Sequence, residues 1–350
     1  MLTVSPRPFS AASVVETRNA RLPAQSVFIK RHAAAVRSRE GLLEEHRLLQ
    51  YLSRTHSSQG AAMAQEPLAD DNGETVQAEG NWVYEVHPVA NGNDLYREAH
   101  SWTPFLSETH ALQAGRALAS LHLALAGYNA PPRAPQPLVT SWTIFADDDP
   151  ISAMDDYLAS RPSLRQYAEE RRWRDSMQQS LLPWHRQLHG YLPYLKPLWA
   201  HNDFHASNLM WSDDSPSAHV TAIVDFGLAD RTNAVHDIAT AIERNCVEWL
   251  RMGQSGIVAF DQIDALLTGY DEIKPLPSME RHALAAMLPL VHCEFALSET
   301  DYYLSVLNDP AKAYLGYEGY FLGHAEWFHS QEGATLLQHL QQWAKSARCA

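Results

Sequence analysis

The sequence is short of cysteine, of basic charge and of long apolar runs, and each shortage removes a class of protein. Three cysteines, Cys246, Cys293 and Cys349, stand far apart in 350 residues and form no C-x-x-C pair. That leaves no disulfide framework and no cysteine zinc or redox motif, and it fits a reducing compartment. No apolar stretch reaches the roughly 18 residues that a membrane span needs, and the N-terminal MLTVSPRPFSAASVVETRN lacks the basic start and unbroken apolar core of a signal peptide. The expectation is a cytoplasmic protein with no membrane partner. Lys and Arg number 27 against 41 Asp and Glu, a formal net charge of −14. Nucleic acid, which is bound through basic side chains that displace counterions from phosphate, is therefore not an expected partner. The acidic surplus serves solubility first and suits a cationic small molecule second.

What is present is an ordinary globular composition, 45% hydrophobic and 19% charged, in a chain longer than one core normally spans, so two lobes are expected. The first ninety residues read as strands broken by turns around a single helix. Val14 to Arg18 and Ser26 to Lys30 flank a turn at Asn19 to Pro23, a hairpin pattern. Between Arg37 and Leu52 the apolar Leu42, Leu43, Leu48, Leu49 and Leu52 recur at helical spacing. Turn signals at Asp71-Asn72-Gly73 and Glu79-Gly80-Asn81 bracket Thr75 to Gln77 and lead into Trp82 to Val86. After His87-Pro88 long helical patterns take over, clearest from Glu108 to Leu125, while Asn129 to Pro137, with four prolines, reads as a loop. The expected division is a small mixed-sheet lobe at 1–90 and a larger, mainly helical one at 91–350, with the hinge near residues 87–93.

The chemistry is concentrated in Leu198-Trp199-Ala200-His201-Asn202-Asp203-Phe204-His205-Ala206-Ser207-Asn208-Leu209-Met210-Trp211 and in Ala222-Ile223-Val224-Asp225-Phe226-Gly227. Together these spell H-x-D-x-x-x-x-N followed by D-F-G, an order and spacing that a random chain of this length reaches on the order of once in ten thousand or less. Phosphoryl transfer needs little covalent help: one carboxylate to orient the attacking hydroxyl and accept its proton, and a second carboxylate with an amide oxygen to hold Mg²⁺ on the triphosphate. Singly, Asp225 or Asn208 reads equally well as a turn former. His201 and His205, four apart, lack the setting of an H-E-x-x-H zinc helix, because their segment reads as a loop.

The block resembles the aminoglycoside phosphotransferase and choline kinase superfamily, whose loop typically reads H-G-D-x-x-x-x-N with I-D-F-G or I-D-W-G after it. Ala114-Gly115-Arg116-Ala117-Leu118-Ala119-Ser120-Leu121-His122 resembles the family's helix ending in Leu-His, and His236-Asp237-Ile238-Ala239 its downstream D-L-A element. The resemblance implies an α+β, protein-kinase-like two-lobe fold, with a small antiparallel-sheet N-lobe carrying one helix and a larger, mainly helical C-lobe. It implies Asp203 as catalytic base, Asn208 and Asp225 as Mg²⁺ ligands, and His201 as a loop support. Asp237 would fix the catalytic loop through backbone hydrogen bonds or touch the substrate, the first being favoured. ATP would be the phosphoryl donor. Lys30, at the end of Val27-Phe28-Ile29-Lys30, would meet its α and β phosphates and pair with Glu45, preferred over Glu44 and Glu40. Main-chain groups of Glu85, Val86 and His87 would face the adenine edge. No glycine precedes Gly41, so Ser10, Ala11, Ala12 and Ser13 stand where a glycine-rich phosphate loop belongs, with Ser10 and Ser13 as candidate phosphate contacts.

The acceptor side is expected from Ile151 to Gly190 and from the segments after Asp237, where Glu243, Glu248, Trp249, His292, Glu294 and Tyr302 mix carboxylates with aromatics, as in pockets for cationic amines. The resemblance permits aminoglycosides, choline or ethanolamine, homoserine, hydroxylysine, thiamine and sugars as hydroxyl acceptors. A protein Ser/Thr kinase on the same scaffold is the alternative enzyme, although only nine residues separate Gly227 from Asp237, too few for an extended activation segment. A nucleotide-binding pseudokinase acting as an interaction module is the non-enzymatic alternative, and the intact Lys30, Asp203, Asn208 and Asp225 count against it.

Overall fold

The computed structural model describes residues 10–19, 22–56, 64–99, 102–134 and 136–346. Cys349 lies outside the described residues; Cys246 and Cys293 are buried free thiols. The N-terminal sheet has four antiparallel strands in the order β1-β2-β4-β3, namely β1 (Ser10–Asn19), β2 (Leu22–Ala33), β3 (Val76–Glu79) and β4 (Trp82–Pro88). An Asx turn before β3 has Asp70 Oδ1 accepting from the backbone N–H groups of Asn72 and Glu74, both at 2.9 Å. Gly73 follows at φ +85°, a conformation glycine adopts at no steric cost.

The first hairpin is longer than the sequence pattern suggests, and this corrects one expectation. Ser10 to Ser13 do not form a phosphate loop. They are the start of β1, with Ser10 opposite His32, Ala12 opposite Lys30 and Ser13 opposite Ile29. Small residues running directly into Val14 and Val15, with no glycine to reach a left-handed turn, continue a ladder rather than break it.

Helix α1 (Arg39–His56) divides its apolar stripe between two cores. Leu42 joins Val76 and Val83 in a small cluster under the sheet. Leu48, Leu49 and Leu52 belong to the main core of the helical lobe. α1 is thus the part of the small lobe that is bonded by packing to the large one. On β4, Val83, Glu85 and His87 face inward, alternating with partly exposed neighbours.

The larger lobe is built around α2 (Glu108–Leu125), N-capped by Ser107 accepting from His110 N. The segment expected to be helical between Ile151 and Gly190 forms the helices Pro150–Ala159, Pro162–Glu170 and Leu182–His189. Two short antiparallel pairs flank the chemical block: β5 (Pro197–Ala200) with β8 (Asp230–Asn233), and β6 (Leu209–Trp211) with β7 (Val220–Ile223). Residues 201–208 connect β5 to β6, and the turn at Asp225 connects β7 to β8. Helix Ala234–Cys246 follows at once, capped by Asn233 Oδ1 accepting from His236 N at 2.9 Å. Among the described residues, no helix is long and apolar enough to cross a membrane.

α2 crosses helix Phe260–Ile273 at backbone contact distance through a reciprocal glycine pair. A Cβ on Gly115 would lie 2.0 Å from the Leu266 carbonyl oxygen, and one on Gly269 would lie 2.0 Å from that of Leu112. Because the obstructing atoms are backbone, the helices must move apart to admit a methyl group. Gly115→Ala is expected to destabilise the protein by about 1–3 kcal/mol, the usual cost of overpacking, read as a lowered denaturant midpoint. An unchanged midpoint would show that the helices are not held this close.

Candidate active site

The loop at 201–208 is hung from a carboxylate on the helix behind it. Asp237, wholly buried, accepts from the backbone N–H of His201 at 2.9 Å through Oδ2 and of Asn202 at 2.8 Å through Oδ1. Its Oδ2 also meets His122 Nε2 at 3.0 Å, and His122 Nδ1 meets the Tyr270 hydroxyl at 2.8 Å. The Leu121-His122 helix end is therefore part of the same support. Burial pushes the Asp237 carboxyl up, but His122 and the His201 backbone amide outweigh it and hold the group below its ordinary value. Asn202 takes the left-handed conformation, φ +60°. Its side-chain oxygen accepts from Thr232 Oγ1 at 2.7 Å. Two turns further along the helix, Asn245 accepts from Ala206 N at 2.9 Å and donates to Phe204 O at 3.0 Å.

His201 is buried and joins the loop to the strand that leads to Asp225. Its Nδ1 accepts from Asp203 N at 3.3 Å and its Nε2 lies 3.0 Å from Val224 O. An accepting Nδ1 requires the proton on Nε2, so the ring is the neutral Nε2–H tautomer donating to Val224. Phe226 packs edge-on against the same ring at 4.8 Å. Val224 N in turn donates to Asn208 O at 2.9 Å, which sets Asn208 beside the residue preceding Asp225.

Asp203, Asn208 and Asp225 are brought to one cleft. Asn208 Nδ2 donates to Asp203 O at 2.9 Å and lies 3.3 Å from Asp203 Oδ2. With the amide nitrogen committed to Asp203, the amide oxygen is the group left for a cation. Asp225 sits at φ +60° with its side chain 51% exposed, and Lys30 Nζ lies 3.3 Å from its Oδ1. That ammonium, more than any other neighbour, holds the Asp225 carboxyl down to about 2. An ionised carboxylate and an amide oxygen are the hard donors Mg²⁺ takes, so these residues fit that ion.

Two contacts on Asp203 were missed by the sequence reading. Arg244 Nη2 lies 2.6 Å from Asp203 Oδ1, and His205 Nε2 lies 3.6 Å from Oδ2. Burial pushes the Asp203 carboxyl up, yet Arg244 and His205 together hold it well below the usual carboxylate range. Arg244 stands seven residues, two helical turns, beyond Asp237, which is the spacing that puts both on the loop-facing side.

The pairing expected between Lys30 and Glu45 is not made. Glu45 is buried and bound by Arg37 Nη1 at 2.7 Å, with Arg133 Nη2 at 3.5 Å. Arg37 comes from the turn just before α1 and reaches the carboxylate first, leaving Lys30 to Asp225. Arg133, in the proline-rich loop, also donates to Gly227 O at 2.7 Å and Gly41 O at 3.0 Å, so it ties α1 to the D-F-G turn. A Cβ on Gly227 would meet Arg37 Nη2 at 2.1 Å, so the Arg37 guanidinium would have to move to admit one. Glu85, Val86 and His87 lie at the end of β4 as expected, but the Glu85 and His87 side chains point inward and are buried.

On the acceptor side, Glu243 and His292 reach the cavity beside Asp203, together with Thr140, Arg244 and Phe295. Trp102 Nε1 donates to Glu243 Oε1 at 3.0 Å, and His292 and His324 approach the same oxygen at 3.6 and 3.4 Å. Burial holds the His292 imidazole down to about 3, hence neutral, and its Nε2 has no partner among the described residues. The cavity measures about 10 Å³, room for about one water, because Arg244 occupies the approach to Asp203. The other expected acceptor residues do different work. Glu294 binds the loop at 141–144, accepting from Thr143 N and Ile144 N at 2.8 Å. Glu248 pairs with Arg251 at 2.7 Å. Trp249 stacks on His324 at 3.9 Å, and Tyr302 packs beside Tyr303.

A small antiparallel sheet with one helix, a larger helical lobe, and Lys, Asp, Asn and Asp converging between them define a protein-kinase-like fold. The chain belongs to the phosphotransferase enzyme family, whose sequence model matches residues 10–276. Among solved structures, it is similar to a microcompartment-associated aminopropanol kinase, with a TM-score of 0.57 at 15% identity, covering 95% of this chain and 93% of that one. It is also similar to an aminoglycoside phosphotransferase from Alicyclobacillus acidocaldarius, with a TM-score of 0.55 at 15% identity, covering 99% and 93%. No curated protein matches the sequence.

Asp237 and Asp203 both have folded-state values below their unfolded ones, so the stability they confer is complete above the ordinary carboxylate range and is lost as pH falls through and below about 4. Asp237→Asn leaves one loop amide facing a donor, and it is expected to cost about 3 kcal/mol at neutral pH and to flatten the acid limb of a Tm-against-pH profile. A variant with wild-type Tm and wild-type acid dependence would remove Asp237 from this role.

Proposed function

We propose that the protein transfers the γ-phosphoryl group of ATP, with Mg²⁺, to a hydroxyl of a small molecule. The observation that carries this reading is the convergence of Asp203, Asn208, Asp225 and Lys30 on one cleft. Asn208 and Asp225 would hold the metal, which would neutralise charge on the transferring phosphates. Lys30 lies beside Asp225 and serves the phosphates from the sheet. The nucleotide belongs to residues 1–90, with the adenine edge at the main chain of Glu85 to His87, and the acceptor belongs to 91–350.

Asp203 orients the acceptor hydroxyl and takes its proton late, as suits a loose transition state in which positioning outweighs base strength. Its low proton affinity in the resting protein comes from Arg244, which must leave Asp203 for a hydroxyl to enter a cavity this small. Glu243 offers a buried anion flanked by Trp102 and His292, a setting for an ammonium-bearing acceptor such as an amino alcohol. The likeness to an aminopropanol kinase fits the same class.

A panel of amino alcohols, sugars and aminoglycosides with radiolabelled ATP tests the proposal. Transfer to at least one class is expected, falling about 10²–10⁴-fold in Asp203→Asn. Glu243→Gln should raise KM for an ammonium-bearing acceptor about 10-fold or more with little change in KM for ATP. No transfer to any acceptor and no thermal stabilisation by Mg²⁺ and ATP would refute the proposal.

A further inference from the structure

The small lobe buries a group of histidines that phosphoryl transfer does not use. His32 on β2, His46 on α1 and His87 on β4 all turn Nε2 toward the carboxylate of Glu85. His46 and His87 each lie 2.8 Å from Oε2, and His32 lies 2.9 Å from Oε1. Glu85 and His46 are almost completely buried and His87 nearly so. The two rings on Oε2 meet edge to face, with centroids 5.9 Å apart and planes at 89°. Their Nε2 atoms and a Glu85 oxygen all lie within 4.8 Å of one another.

We propose that His46, Glu85 and His87 bind a zinc ion that staples α1 to β4. Two imidazoles and one carboxylate with a fourth position for water form a well-established zinc donor set. Tetrahedral bonds of about 2.0–2.1 Å put neighbouring donor atoms about 3.3 Å apart, so the hydrogen-bonded atoms need to open by only about half an ångström. The partners around these donors are also those a metal site requires. His46 Nδ1 lies 2.8 Å from Thr75 Oγ1, and His32 holds the Glu85 oxygen that the other two rings leave free, which fixes ligand orientation in the way outer contacts of metal ligands do. A ring binds zinc through an unprotonated Nε2, so in the metal-bound site its proton sits on Nδ1. There Thr75 Oγ1 accepts it from His46.

As a purely hydrogen-bonded group this cluster would be a poor stabiliser, because burying one carboxylate among three imidazoles costs desolvation that apolar side chains avoid. Zinc turns the same atoms into a cross-link between α1 and the strand whose Glu85 lies opposite Lys30 in register. The other group able to converge on a metal, Glu243 with His292 and His324, lines or adjoins the acceptor cavity and is the internal control.

The test is the metal content of the full chain, produced without a histidine tag in zinc-supplemented medium and measured by elemental mass spectrometry. About one zinc per chain is expected, with a Tm that falls on chelation and recovers when zinc is returned. His46→Ala and His87→Ala should lose the metal, and His292→Ala should keep it. Thr75→Val, which retains every ligand, should weaken zinc affinity about 10- to 100-fold. Should the histidine variants fail to fold, cobalt(II) titrated into the metal-depleted wild-type and Thr75→Val chains gives the same comparison from visible absorption. Only trace zinc with a Tm indifferent to zinc and chelator, or a metal that survives His46→Ala and leaves with His292→Ala, overturns the proposal. Neither result bears on phosphoryl transfer, so the two readings fail separately.

Discussion

The loop at 201–208 has little regular structure of its own, and its shape is set by one buried carboxylate. Asp237 holds two consecutive backbone amides, those of His201 and Asn202, and that grip fixes the direction in which Asp203 leaves the loop. The carboxylate is itself positioned twice over, by the first turn of a capped helix and by His122 from α2. Removing it would leave two amides without partners in a site that water does not reach, which is why a loop that must be precise is tied to the most buried part of the lobe. Arg244 and Asn245 extend the same helix face, so one helix presents the support for the loop and the cation on its reactive carboxylate.

The relation between the lobes depends on a second set of contacts, centred on arginine. Arg133 reaches Gly41, Glu45 and Gly227, and Arg37 fills the space that Gly227 leaves. α1 is therefore bonded to the turn that carries Asp225, while Lys30 approaches Asp225 from the sheet. In this arrangement positive charges compensate both acids: Lys30 on Asp225, proposed to meet the metal, and Arg244 on Asp203, proposed to meet the acceptor. The cleft is electrostatically complete before any ligand arrives. Ligands must exchange partners with these cations rather than fill an uncompensated acidic site.

Much of the fold was legible from local patterns, because strands, turns and amphipathic helices are local properties. The sheet, α1 and α2 follow from side-chain period and from turns such as Asn72-Gly73, and the H-x-D-x-x-x-x-N and D-F-G spacing brought Asp203, Asn208 and Asp225 into view. What escaped is non-local. Arg244 and Arg133 contact residues 41 and 92 positions away, and nothing near them in sequence marks those partners, although the two-turn spacing from Asp237 was a usable sign for Arg244. Glu45 was identified as the buried acid of α1 but given the wrong cation, since the choice between Lys30 and Arg37 is made by reach in three dimensions. Ser10 to Ser13 were assigned by alignment with a loop that the strand propensity of the following valines does not allow. Glu85 and His87 were read for their main chain, whereas their side chains join His32 and His46, which lie on different elements.

The claim at the centre of this account is a division of labour between two carboxylates, Asp225 for the metal-bound donor and Asp203 for the acceptor. Calorimetric titration of ATP into the wild-type, Asp203→Asn and Asp225→Asn chains, with and without magnesium, addresses it most directly. The account predicts that Asp203→Asn keeps wild-type affinity and its magnesium dependence, while Asp225→Asn loses the part of the affinity that magnesium confers. The same affinity in all three chains, with or without magnesium, would contradict it.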